Sequence, residues 1–151
     1  MDGEEKIKTV STDDMAQQLK GDTFPASWDN FLDEDIRDFF DGLLEKTGLK
    51  KSEVIRKTNL DRTYGYQIMG GQRLGKRDYY LRIALAMSLD LSTTQRMLAV
   101  THGGSLHPLI KRDAAVIFAI NHNYDNDQTH VFMEKVGLLP LETGLEKDGG
   151  I

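Results

Sequence analysis

Asn59-Leu60-Asp61 constrains this chain more than any other stretch, because the residues on either side read as two short helices that it must join tightly. The spacing of apolar residues predicts those helices over Lys51–Thr58 and Arg62–Met69. Asn59 falls where the turn needs a left-handed backbone, a conformation open to Gly and, next best, to Asn. Asp61 is placed to accept from the first free N–H groups of the following helix. Gly70-Gly71 ends that helix, since Gly takes the cap conformation cheaply. The rest of the chain has to hold this pair in place.

The same punctuation continues on both sides. Residues 1–26 are polar and charged and read as a flexible acidic arm, with a turn or two of helix at most over 13–19. From Asp33 the pattern turns helical. Ile36, Phe39, Phe40, Leu43 and Leu44 recur at helical spacing with Asp35, Arg37, Asp38 and Asp41 between them, and Gly48 closes the helix. Trp28 and Phe31 are expected to pack near its start. A fourth helix is expected over 78–89, with Tyr80, Ile83, Ala84 and Met87 inward. Ser92-Thr-Thr-Gln95 reads as a capping box opening a fifth helix through Val100, with Gly103-Gly104 behind it. Residues 112–121 form a sixth, apolar almost all round over 114–120 and therefore expected to be buried. Asp125-Asn-Asp-Gln128 starts a seventh, which ends at Gly137 with Pro140 beyond. The expected architecture is all-α: a five-helix domain over 27–104, a helical hairpin extension over 105–141 and a tail over 142–151.

An echo at an offset of 35 residues runs through the last four of these helices. Lys76-Arg77-Asp78 recurs as Lys111-Arg112-Asp113, Ala84 as Ala119, Asp90 as Asp125, and Thr94 as Thr129. Each Lys-Arg-Asp opens an apolar helix, then a short polar turn, then a second helix. Two stacked hairpins are the physical reading, each too small to bury its own face.

With 151 residues the chain can bury a core without staples, and with no Cys it has neither disulfides nor thiolate metal sites. No apolar run approaches the roughly 20 residues of a membrane span. The opening residues also lack the basic-then-apolar order of a signal peptide, so a cytoplasmic protein is expected. The net charge of −5 hides a division: between Gly48 and Arg82 nine Lys or Arg stand against three acids, a local +6, whereas 1–47 carry −8 and the remainder −3. The positive part coincides with the two short helices, as in a nucleic-acid footprint. By the same complementarity the acidic arm could fold over the basic part and compete with phosphates. Catalysis finds no footing, since no Ser/His/Asp or paired-carboxylate arrangement is legible and Gly70-Gly71 is not followed by a Gly-Lys-Ser/Thr. His102, His107, His122 and His130 lack the tight pairing of a metal site, so surface or capping positions are expected. Neither enzyme activity nor a cofactor or metal is expected.

The helix pair is internally consistent. Val54, Leu60 and Ile68 supply inward apolar residues from both helices and the turn. Ile55 and Gly65 fall on facing sides of the crossing, where bulk against no side chain roughly conserves volume. Gly inside a helix costs about 1 kcal/mol against Ala, so it needs such a steric reason. With these features, residues 49–89 resemble the phage repressor/Cro-like helix-turn-helix family, also called the xenobiotic-response-element (XRE) family. GLKKSEVIRKTNLDRTYGYQIMGGQR, with the trailing ALAMSLDLSTTQRML, is similar to a bacterial subgroup of small all-helical regulators. The most specific pieces are Ile68…Gly71-Gln72-Arg73, against the family's Ile-x-x-Gly-Lys-Arg closing signature, and the S/T-x-x-Q cap before the fifth helix.

The resemblance implies a repressor-like helix-turn-helix domain that binds double-stranded DNA in transcription regulation, with Arg62–Met69 as recognition helix. Its base-reading positions carry over as Arg62, Thr63, Tyr64 and Gln67. Arg can fork onto guanine, Gln can pair with adenine, and Thr or Tyr can meet a thymine methyl or a phosphate. Lys50 and Lys51 stand where the family usually has Thr-Gln on phosphate, and Arg73, Lys76 and Arg77 lie in the following loop. Those five position the protein rather than read sequence. Lys50 cannot accept an N–H, so the usual cap of the second helix is missing, and Tyr66 is expected to pack against protein. A homodimer on two half-sites is implied. The sixth helix, with Phe132 and Leu138-Leu139, offers either a surface for it or part of the monomer core. The rival reading is a non-catalytic adaptor of the same fold that binds protein, supported by the acidic total, the aromatic reading helix and the second hairpin.

Overall fold

The computed structural model describes residues 35–145, and every regular element among them is a helix. The expected acidic arm, the turn over 13–19, the placement of Trp28 and Phe31, the helix start at Asp33 and the last residues of the tail lie outside the described residues. Seven helices follow one another: α1 Ile36–Thr47, α2 Lys51–Thr58, α3 Arg62–Met69, α4 Arg77–Ala86, α5 Leu91–Val100, α6 Lys111–Asn121 and α7 Asn126–Lys135. All-α is the fold class.

Local chemistry accounts for the boundaries of the first three. Asp35 accepts from the Arg37 N–H at 2.9 Å to open α1, and Gly48 at φ 75° closes it by donating to the Leu44 carbonyl. Lys50 supplies no side-chain cap to α2. At its far end Asn59 takes φ 62°, while the Thr58 hydroxyl donates to Ile55 O and accepts from Leu60 N–H, stitching the turn. Asp61 then accepts from Tyr64 N–H at 3.0 Å and opens α3. A Cβ built on Gly65 would sit 3.1 Å from Ile55 Cγ2, so the pairing of bulk with glycine at this crossing is steric.

Later boundaries depart from the sequence expectation in three places. α4 stops at Ala86, because Ser88 swings to φ 54° and Leu89 N–H folds back onto Ala84 O. Ser92 does not cap α5. Asp90 does, accepting from Thr93 N–H at 2.8 Å, because it stands earlier and reaches the first free donors. Gln95, the supposed far half of the box, instead clasps the Leu106 backbone through both its amide oxygen and its amide nitrogen. Third, α6 is not buried all round: Phe118 is 41% exposed. The box at Asp125 and Gln128 is present in both directions.

The echo at offset 35 is a structural duplication. Arg77 forks onto Asp113 at 2.6 and 3.2 Å, and Arg112 forks onto Asp78 at 2.9 and 3.0 Å. Each arginine also donates to a carbonyl in the return segment of its own repeat, Ser105 O for Arg77 and Pro140 O for Arg112. Each aspartate accepts a backbone N–H from the other repeat, His107 onto Asp113 and Glu142 onto Asp78, both at 2.9 Å. Asp90 and Asp125 cap equivalent helices, and the Thr94 and Thr129 hydroxyls donate back to their carbonyls at 2.8 Å. Ser88 and Asn123 take φ 54° and 55° at equivalent turns. α4 meets α7 as α6 meets α5, the reciprocity that a two-fold relation demands.

Two buried polar groups tie α2 to this symmetric unit. Arg82, 3% exposed, donates through its guanidinium to Thr58 O, Leu141 O, Glu142 O and Asn126 Oδ1. The Asn126 amide donates in turn to Lys57 O and Arg82 O, both at 3.0 Å. Counted by sequence with the basic footprint, Arg82 is structural. Around this hub, Phe40, Ile68, Met69, Tyr80, Met97 and Leu98 are buried completely, and Phe40 stacks on Tyr80 with centroids 6.2 Å apart.

Candidate nucleic-acid interface

α3 buries Gly65, Ile68 and Met69 and turns its other side outward. Arg62 and Thr63 are exposed and Gln67 is half-buried. Together with Arg37 of α1, Lys51 of α2, Tyr66, Gly70 and Gln72, they line an open hollow of about 510 Å³. Three cations and no carboxylate are in that lining. Tyr66 is its floor, with Lys51 Nζ and the Arg62 guanidinium each 5.9 Å from the ring centroid. The ring packs partly on the core and keeps both cations near one another by cation–π attraction.

Tyr64 points elsewhere. It packs edge-on against Tyr79, with centroids 5.4 Å apart, and the Arg73 guanidinium covers its ring at 4.9 Å. Its aromatic face is thus held within the protein, and only part of the side chain is accessible. Arg73 also donates weakly to Gln67 Oε1 at 3.4 Å, which links the exposed loop after α3 to the outer face of that helix. Gly75 N–H donates to the buried Tyr80 hydroxyl at 3.0 Å and pins that loop to α4. Burial pushes the Tyr80 hydroxyl above its ordinary pKa.

No protein-family model matches the chain, nor does any curated protein or solved structure.

The five cations expected to meet phosphate divide. Lys50 and Arg73 are exposed, and Lys51 is half-buried in the hollow. Lys76 meets Glu142 at 2.9 Å, and that hydrogen bond raises its pKa above the ordinary lysine value. Arg77 is not in the loop. It is the first residue of α4, and its guanidinium is committed to Asp113, which is only 3% exposed. Its opposite number Asp78 illustrates the balance. Burial pushes the Asp78 carboxyl up, but hydrogen bonds from Arg112 and from Glu142 N–H outweigh it and hold it below the usual carboxylate range.

Sequence reading passed over Arg37 and Gln72. Arg37 is the lone cation among Asp35, Asp38 and Asp41, so composition hides it; only the contact of α1 with α3 brings it to the hollow. Gln72 lies inside the quoted closing signature, which was the available signal. Among the described residues, no group of three His, Asp or Glu could hold a metal ion, and no helix is long and apolar enough to cross a membrane. His122 stacks on Phe118 at 3.9 Å and caps α6, His130 pairs with Glu134 at 3.3 Å, and His107 accepts from Leu109 N–H.

Proposed function

We propose that this chain is a sequence-specific double-stranded DNA-binding regulator of transcription, built as a repressor-like helix-turn-helix in which α2 supports and α3 reads. The observation that carries the reading is the exposed outer face of α3, flanked by Lys51 and Arg37 and free of carboxylates in its hollow. Arg62 is the base-reading fork, with Thr63 and Gln67 beside it. Tyr64 supports the loop rather than reading. Lys50, Lys51, Arg73 and Arg37 are the phosphate contacts, while Lys76 and Arg77 stay with their acidic partners.

Four such contacts give a log–log salt slope of roughly −3.6 for a random duplex, at about 0.9 per phosphate. A fluorescence-anisotropy titration between low and moderate salt measures it. Absence of binding at low salt, or a flat response, overturns the reading in favour of an adaptor that binds protein. Arg62→Ala should erase preference among selected sites, at a cost of about 1–3 kcal/mol on the best one. Lys51→Ala should weaken all duplexes alike and reduce the slope by about one.

A further inference from the structure

The duplicated hairpins differ in one respect that assigns a second binding surface. Residues buried by a two-fold interface must be buried in both repeats, so a position buried in only one is covered by something outside the symmetric pair. Ala84 and Ala119, Leu98 and Met133, and Leu106 and Leu141 are buried in both. Ile83, however, is 0% exposed where its counterpart Phe118 is 41%, and Thr101 is 1% exposed where Val136 is 51%. Met87 and Met97 are buried, while His122 is exposed and Phe132 half-buried. What lies over the first hairpin is α1 against α5 and α2 against α4. Nothing among the described residues lies over the second in the same way.

The bare face is organised. Phe118, His122, Tyr124 and Phe132 form one aromatic cluster, with Phe118 stacked on Phe132 at 5.0 Å and on His122 at 3.9 Å. Val136, 51% exposed where its counterpart Thr101 is buried, is a further apolar residue left bare. Helical spacing puts Lys111 two turns before Phe118 and Lys135 one turn after Phe132, both exposed. Of the two helices over the first hairpin, α1 presents Phe39, Phe40 and Leu43 inward and Asp38, Asp41 and Glu45 outward. We infer that the α6–α7 face docks an acidic amphipathic helix of another protein, one that carries paired aromatic residues like α1 and sets its carboxylates toward Lys111 and Lys135. A second copy of this chain would bring the same two lysines and no matching acids to the face, so charge favours the acidic helix. This surface is separate from the α3 hollow and does not depend on DNA binding.

The probe is a fluorescein-labelled, hydrocarbon-stapled peptide with the sequence of residues 35–48, titrated with the full chain and read by anisotropy. Saturable binding is expected, at least tenfold weaker for Phe118→Glu and, independently, for Val136→Glu, with circular dichroism unchanged. Lys111→Glu with Lys135→Glu should weaken it several-fold. Two outcomes overturn the inference: no binding to the wild-type chain, or binding that survives both apolar substitutions, which would place the peptide on the first hairpin. Concentration-dependent self-association in sedimentation that Phe118→Glu abolishes would also overturn it and make a second copy the occupant.

Discussion

Removing Arg112 tests the duplicated core most directly. Its guanidinium makes two hydrogen bonds to Asp78 and one each to Leu139 O and Pro140 O, at 2.8 to 3.0 Å. Arg112→Ala strips all four and leaves Asp78, 10% exposed at its side chain, with the Glu142 N–H as its remaining donor of those described above. Breaking a fully buried ion pair from one side costs about 3–5 kcal/mol. The arginine here is 28% exposed, so water can reach the vacated site and the cost falls to roughly 3 kcal/mol. For a folded body of this size that corresponds to a drop of about 10–15 °C in Tm. Because Arg77 and Asp113 repeat the arrangement, Arg77→Ala should cost the same within about 1 kcal/mol. Urea denaturation followed by circular dichroism gives both numbers. Arg112→Lys should retain part of the loss, since an ammonium keeps the charge and cannot fork. If either alanine variant unfolds at the wild-type midpoint, or the two differ by several kcal/mol, the reciprocal pairing does not hold the hairpins together.

Three other perturbations have defined outcomes. Gly65→Ala should gain nothing in wild type despite about 1 kcal/mol of helix propensity, because the new methyl meets Ile55 Cγ2; in an Ile55→Ala background the same change should stabilise by about 1 kcal/mol, and additive behaviour in that cycle would refute the steric account. Arg82→Met should destabilise by roughly 3 kcal/mol or more through orphaned carbonyls at the end of α2 and in the return segment, seen as a shifted urea midpoint with an unchanged slope. Asp78 titrates below its unfolded value of about 3.9, so its contribution is whole above that pH and is lost as pH falls through the folded value; Asp78→Asn should flatten the loss of stability below roughly pH 4, and parallel acid limbs for the two proteins would contradict it.

Legibility in the sequence tracked the range of the interactions. Asn59, Asp61 and the Asp125–Gln128 box act within four residues of themselves, and the bounds of α2 and α3 follow from them without tertiary information. Ser92 misled because Asp90 competes for the same donors and Gln95 is drawn away by Leu106, a contact across 11 residues. The fate of Arg77 was hidden at longer range still, since its carboxylate is 36 residues away. The repeated Lys-Arg-Asp was nonetheless its trace in the sequence: an arginine beside an aspartate, twice, is what an exchange of ion pairs between repeats requires. Exposure of Phe118 was illegible for a related reason. An apolar face looks the same whether the molecule covers it or leaves it for something else.

The exchange also sets an order in time. Asp78 takes its guanidinium from a residue 34 positions later and its backbone donor from one 64 positions later. During synthesis α4 therefore leaves the ribosome with its first carboxylate unanswered, and α2 leaves with the carbonyls at its end still waiting for Arg82 to be locked by Asn126. The polar network behind α2 is therefore complete only once Asn126 and Glu142 have both emerged. A nascent fragment ending before Asn126 would carry both short helices and still lack the donors that satisfy the carbonyls at the end of α2.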